Sequence, residues 1–341
     1  MFTGVWLRIC FHFGRQQQTV TITTPGVTDI QFLSTLQHDY QHSPSKQAPP
    51  PHYQAPQQHA GSSNLHAPVQ PPAPKQKSAH NIPRILRYSK CTGRKKALCV
   101  GINYKGTGKE LNGCVNDAKN VRKFLLKNWN FKPEDIVVLT DDTQDPRRLP
   151  TKANMLSAMK WLVRDAKAHD SLFFHYSGHG GQIRDTDGDE VDGYDEVIFP
   201  LDYERKGVGI ITDDTMNELL VRPIPDGCRL TSCHSGSALG TANGKLKNSD
   251  VTDKFRKLKS SAGDVISFSA CEDSQTSADV VKNGMAVGAM SYTFIKCLDA
   301  NPKLSYQQLL KNVRALLRKH YTQKPQLSSS HKIDTNRSFI L

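Results

Sequence analysis

Two short motifs hold the residues of this 341-residue chain best suited to chemistry. One runs His175-Tyr-Ser-Gly-His-Gly180, the other Ser232-Cys-His-Ser-Gly236. A thiol attacks a carbonyl only as thiolate, and a free cysteine is mostly protonated at neutral pH. A neighbouring histidine takes that proton and later returns one to the leaving amine. His179 and Cys233, 54 residues apart, therefore read as base and nucleophile. The backbone N–H groups of Gly180 and Cys233 are the candidate donors to an oxyanion. Gly178 and Gly180 flank His179 and permit a tight turn after the strand that carries it. A lone buried cysteine is more often inert packing, and a lone histidine is usually not catalytic. It is the two motifs together, in this order, that point to thiol nucleophilic catalysis.

Positioning such a pair needs two neighbouring strand ends. Apolar runs at 97–102, 136–140, 172–176, 197–201, 228–231 and 264–269 read as buried strands. Between and after them, helical spacing predicts helices over 114–129, from an N-cap at Thr151 to about 168, and over 213–221, 290–298 and 305–319. Strands alternating with helices mean an α/β domain with a mostly parallel central sheet flanked by helices. Active sites of such sheets lie beyond the carboxyl ends of the strands. His179 follows one strand end and Cys233 another, so both are expected on that edge.

Composition narrows the rest. Residues 41–80 hold nine of the nineteen prolines, with many Gln, His and Ser. Such a segment cannot bury enough apolar surface to offset its chain entropy. Residues 1–88 are read as a disordered Pro/Gln-rich leader and 89–341 as the folded domain. The net charge is +13, and eleven Lys and Arg but no Asp or Glu occur between Asp39 and Glu110. No aromatic interleaving or nucleic-acid motif accompanies that basic stretch, so a solvated tail is expected rather than nucleic-acid binding. Eight scattered cysteines without a Cys-x-x-Cys pair argue against a zinc site or a disulfide scaffold. They fit a reducing compartment, the cytoplasm or nucleus. No apolar run approaches the length of a membrane span.

From about Lys95 to Leu341 the chain resembles the metacaspases, the caspase-like peptidases of fungi, plants and protists. The two motifs carry the resemblance together with Gly113-Cys-Val-Asn-Asp117, Pro150-Thr-Lys-Ala-Asn154, Gly188-Asp-Glu-Val-Asp-Gly-Tyr-Asp195, Gln275-Thr-Ser-Ala-Asp279 and the segment 323–331. The leader looks like the pro-region of type I members, nearest the fungal ones, and implies a zymogen. The resemblance implies a caspase-hemoglobinase fold and endopeptidase cleavage after Arg or Lys. It makes Cys233 the nucleophile and His179 the base. It maps Asp117 and Ser177 onto the pocket for the substrate's basic side chain, where a carboxylate pairs with a guanidinium or ammonium. Asp117 taken alone reads first as a helix-start carboxylate favoured by the dipole.

Between Gln182 and Asp214 lie eleven Asp or Glu and three Lys or Arg. Carboxylates packed so densely repel unless a hard cation binds. The family's activating calcium maps onto Asp195, Asp213 and Asp214; a solvated acidic loop and a capped helix start is the plainer alternative. The resemblance also makes Lys245, Lys247, Arg256 and Lys257 candidate autolytic sites, a lysine-rich loop being more often just solvated. Partners implied are protein or peptide substrates with Arg or Lys at the cleavage site, and proteins binding the leader. A monomer with a role in cell death or protein quality control is implied as well.

One departure complicates this. The family reads Arg-Leu-Thr, then four residues of the type Ala-Ile-Phe-Asp, then Ser-Cys-His-Ser-Gly; here Thr231 runs directly into Ser232. At 3.3 Å per residue the shortfall is about 13 Å of strand. An even deletion preserves which face each side chain takes, but not reach. Either Cys233 stays at the active edge, drawing Pro225-Asp-Gly227 into the sheet, or the strand stays put and Cys233 is pulled away from His179. In the first case Arg229 replaces a buried apolar residue. The deletion also puts Thr231 where the family has a second pocket carboxylate, and Gly240 stands in place of a calcium-site Asp. An active Arg/Lys-directed peptidase and an impaired relative acting through binding both remain open.

Overall fold

A computed structural model describes residues 88–184, 194–238, 261–270, 279–282, 285–318, 325–331 and 333–341. All but the last residue of the predicted leader lies outside these, as do the acidic stretch 185–193 and the candidate autolytic sites.

The apolar runs fall in one sheet whose main path is β10-β7-β6-β3-β1-β2, with β4 beside β3 off that path; of the run 197–201 only Val197 and Ile198 are strand. β1 (Lys95–Gly101), β2 (Ile136–Thr140), β3 (Ser171–Arg184), β6 (Arg229–Ala238) and β7 (Asp264–Ser269) run parallel to their neighbours. β10 (Gln326–Ser329) closes the β7 edge antiparallel. β4 (Tyr194–Ile198) pairs antiparallel with the upper end of β3, and β5 (Ile211–Thr212) with β4. A separate hairpin, β8 (Asp279–Lys282) and β9 (Met285–Gly288), was not anticipated from the sequence.

Helices cover both faces because the central strands are apolar on both sides. On one face, Cys99, Phe173, Cys233 and Phe268 pack against α1 (Cys114–Asn128), α4 (Ala289–Ala300) and α5 (Tyr306–Arg318). On the other, Leu98, Phe174, Tyr176 and Leu230 pack against Met155, Met159 and Leu162 of α2 (Lys152–Val163). Thr151 caps α2 as expected, its side chain accepting from Asn154 N–H at 3.3 Å. The predicted helix over 213–221 begins with the single turn of α3 (Asp213–Met216) and continues as a π-helical turn. No helix among the described residues is long and apolar enough to cross a membrane.

The start of β6 decides the register of the sheet. Pro225 and Gly227 remain in the preceding turn, where Gly227 takes φ +78° and Cys228 N–H bonds Pro225 O at 3.0 Å. Arg229 enters the sheet opposite Ser171 and Asp264. It is buried, yet not alone. Its guanidinium donates to Asp264 Oδ2 at 2.9 and 2.5 Å and to the Tyr306 hydroxyl at 2.8 Å. The ion pair is nearly fully enclosed, with side-chain exposures of 4% and 2%. Removing one member of such a pair strands the other charge in the core. Arg229→Met is therefore expected to lower the unfolding free energy by about 3–5 kcal/mol in urea titrations. The double variant Arg229→Met/Asp264→Leu should recover most of that loss, since an apolar pair of similar volume replaces a buried ion pair at little cost.

Candidate active site

His179 sits inside a strand, not after one. β3 continues through it, paired with β6 as far as Gly180↔Ala238 on one side and with β4 from Gly180↔Ile198 on the other. The tight turn expected from its flanking glycines does not occur. Gly178 is required for a different reason. A Cβ there would lie 2.6 Å from the Tyr176 hydroxyl and 3.0 Å from that of Tyr104. The His179 side chain is buried, its ring 4.5 Å from that of Tyr104 and its Nε2 2.6 Å from the Lys109 carbonyl. A carbonyl only accepts, so Nε2 carries the proton and Nδ1 is the basic nitrogen of the neutral ring.

Cys233 lies elsewhere. Its partner across β3 is His175, and across β7 it is Phe268; the strand residue opposite His179 is Ser237. Four residues separate the two levels, about 13 Å along the strands. Of the two outcomes the shortened strand allowed, the sheet adopts the second: the strand stays put and the nucleophile is withdrawn. The even shortfall keeps Cys233 on the same strand parity as His175 and His179. It is fully buried, within the cluster holding Phe173, Phe268 and Phe294. Desolvation pushes its thiol well above the usual range, and the Asp117 carboxylate adds to this.

The histidine that does adjoin Cys233 cannot replace His179. His175 is fully buried, and its Nδ1–H donates to the Cys233 carbonyl at 2.9 Å. Burial lowers it to about 4, so it stays neutral beside a thiol that also stays neutral. The thiolate–imidazolium pair needed for attack does not form. The rest of the motif is equally misplaced. Among the described residues, the hydroxyls of Thr231 and Ser232 and Nε2 of His175 are buried without a hydrogen-bond partner. Each such group costs about 1–3 kcal/mol. A motif composed for the open edge of a sheet has been drawn into its interior.

The proposed oxyanion donors are separated with the dyad. Cys233 lies in the middle of the sheet with strands on both sides, where backbone N–H groups belong to the ladder. Gly180 is five residues nearer the carboxyl edge than Cys233's level, between β4 and β6. The predicted pocket residues, by contrast, do meet. Ser177 Oγ donates to Asp117 Oδ2 at 2.8 Å, and Asp117 Oδ1 accepts from Gly288 N–H at 2.8 Å, tying α1 to the start of α4. Asp117 is buried, so its carboxylate serves as an internal anchor in this arrangement.

Asp195 is buried on β4 and Asp213 is buried as the first residue of α3, with Asp214 half-buried beside it. β4 and β5 pair through Val197↔Thr212, which brings these segments together. Among the described residues, however, no three His, Cys, Asp or Glu side chains gather closely enough to hold a metal ion. The acidic stretch 185–193 and Gly240 lie outside the described residues.

Sequence reasoning did not single out Tyr104 or the Lys109 carbonyl. Both lie in a loop after β1 with no spacing signal linking them to His179. Nor did it foresee that His175 would stand beside Cys233; the register of β6 was the missing information.

The buried histidines give a pH signature. Burial lowers His234 from 6.5 to about 3 and His175 from 6.5 to about 4. Between those values and 6.5 the unfolded chain binds more protons than the folded one, so stability rises with pH. It is fully present above about pH 6.5 and is lost as pH falls, to about 4 for His175 and about 3 for His234. Chemical denaturation midpoints should fall across that window. His234→Leu should flatten the dependence, and an unchanged slope in that variant would contradict the burial of a neutral His234.

Sequence comparison places this site in context. The family description "Metacaspase, peptidase C14 domain" matches residues 95–242. Metacaspase-1 of Cryptococcus neoformans var. neoformans is 47% identical over 332 residues, covering 80% of this chain and 72% of that protein. Metacaspase-1 of Saccharomyces cerevisiae is 41% identical, covering 86% and 83%. A solved structure of a protein from Geobacter sulfurreducens aligns with TM-score 0.53 at 20% identity, over 73% of this chain and 99% of that one, a likeness of fold alone. With a mostly parallel sheet between two helical layers and fungal relatives similar over most of their length, the chain belongs to the metacaspases, caspase-like cysteine peptidases of the C14 class.

Proposed function

We propose that this chain is a metacaspase whose Cys233–His179 dyad does not assemble, so that it acts by binding rather than by cleaving. The reading rests on one observation, the pairing of Cys233 with His175 instead of the level of His179. A general base works within hydrogen-bond reach of its proton, directly or through one water. A four-residue offset on adjacent strands far exceeds that reach. The ligand class is a protein segment bearing Arg or Lys. Asp117 and Ser177, which correspond to the family's pocket, would receive that side chain after moving apart from each other. The leader is the natural element for further protein contacts, and a cytoplasmic or nuclear monomer accommodates both roles.

A second reading is an active endopeptidase cleaving after Arg or Lys, calcium-stimulated, made as a zymogen and acting in cell death or protein quality control. What favours it is the strength of the match to the named relatives and the intact surroundings of His179. In that case β6 must climb four residues, which requires breaking the Arg229–Asp264 pair and drawing Pro225 and Gly227 into the sheet. Proline and glycine are poor residues for a central strand.

The two readings separate in an assay of a fluorogenic Arg peptide with and without millimolar calcium. The native chain is expected to match Cys233→Ala in both conditions. Inserting Ala-Ile-Phe-Asp between Thr231 and Ser232 should raise hydrolysis by about 10²–10⁴-fold, the worth of a positioned acid–base group, and the gain should vanish with His179→Ala. Turnover by the native chain that disappears in Cys233→Ala would establish the second reading.

A further inference from the structure

Tyr104 is a bulky residue in an unfavourable conformation. It is completely buried and sits at φ +52°, in the left-handed region that β-carbons disfavour. A non-glycine residue held there costs about 1–3 kcal/mol and persists only where its surroundings impose it. Such outliers gather at functional sites. Glycine or asparagine would relieve the backbone, so the tyrosine side chain must supply something they lack.

What it supplies is a grip on His179. The Tyr104 hydroxyl donates its proton to Phe199 O at 2.6 Å and accepts the His179 N–H at 3.0 Å. The Tyr176 hydroxyl, 3.1 Å away, donates to His179 O at 2.5 Å. Both main-chain polar groups of His179 are therefore held by a pair of phenols. Burial pushes both phenols well above their ordinary range, so they remain proton donors at any physiological pH. The Tyr104 ring then lies against the imidazole at 4.5 Å and 35°, restricting its rotation.

Tyr104 also carries the far side of the clamp. Its carbonyl accepts from Thr107 N–H at 3.2 Å and Thr107 Oγ1 at 2.7 Å, turning the chain back toward His179. That turn delivers the Lys109 carbonyl to within 2.6 Å of His179 Nε2. The Lys109 ammonium is fastened to Glu204 Oε1 at 2.6 Å and the Tyr203 hydroxyl at 2.8 Å. One residue thus fixes the backbone of His179, the plane of its ring and the loop that sets its tautomer.

We propose that Tyr104 is a positioning residue for His179, holding the imidazole as the Nε2–H tautomer with Nδ1 as the basic nitrogen. It touches no substrate and acts only through the histidine. The arrangement is independent of whether Cys233 reaches the site, and the test does not rely on turnover.

Nitrogen-15 NMR of the full-length chain with labelled histidines reads the tautomer directly, the His179 resonance among the thirteen histidines being assigned by its loss in His179→Gln. The native chain should show Nε2–H protonation at His179 with slow solvent exchange. Tyr104→Phe keeps the ring and removes the hydroxyl. It is expected to speed exchange of the Nε2 proton at least tenfold and to populate the Nδ1–H form, with other histidine signals unmoved. Should Tyr104→Phe fold poorly, Tyr176→Phe removes one of the two donors to His179 O, the Phe199 N–H at 3.2 Å remaining, together with the hydroxyl that neighbours that of Tyr104, and should shift the same resonance in the same direction. An unchanged His179 tautomer and exchange rate in folded Tyr104→Phe, or in folded Tyr176→Phe where that variant is needed, would overturn the proposal.

Discussion

The position of β6 in the sheet is the constraint on which the rest of the site depends. Three features fix it. The turn holding Pro225 and Gly227 cannot be drawn into a central strand, because proline lacks the ladder donor and glycine contributes no packing. Arg229 is locked to Asp264 and Tyr306 inside the core. Beyond it, Leu230 fills the layer with Leu172 and Val265. With its foot held, a strand shortened by four residues can only carry its motif lower. Cys233 therefore meets His175, and the residues meant for the open edge lie among aromatic side chains.

This explains why one half of the motif pair looks functional and the other does not. His179 is gripped at its main chain, its ring and its Nε2, and Ser177 is hydrogen-bonded to Asp117 nearby. Cys233 has kept its sequence but lost its setting. Burial raises the thiol and lowers the imidazole of the residue paired with it across the strands, and these opposite shifts leave both groups neutral. In a cysteine peptidase the same two residue types are useful because the site favours the charged pair. The chemistry thus depends on environment, and the environment here is set by strand length.

Much of this was legible in the sequence. Apolar runs and helical spacing located β1, β2, β7, α1, α4 and α5 closely, since a buried strand or an amphipathic helix leaves a periodic imprint, whereas α2 stops at Val163, five residues short of the expected end. The lengths of β3 and β6 were not legible. Ser177, Gly178 and Gly180 look like the end of a strand, yet β3 runs on because β4 and β6 supply partners on both sides. The four-residue shortfall before Ser232 was visible, and so was the pair of ways the sheet might absorb it. Choosing between them required knowing that Arg229 finds Asp264 and Tyr306, partners 35 and 77 residues away. Tyr104 was invisible for a similar reason: its role comes from a backbone conformation and contacts across the fold, neither of which leaves a local pattern.

The most direct test of the withdrawn nucleophile is its accessibility. Native protein would be exposed to iodoacetamide at neutral pH and the modification of Cys233 followed by mass spectrometry, with and without denaturant. A cysteine buried between β3 and β7 should label only at the rate of global unfolding, and at full rate once urea has unfolded the chain. Rapid labelling of Cys233 in the native protein, slowed by His179→Ala, would mean that the thiol stands at the sheet edge beside its histidine and would contradict the account.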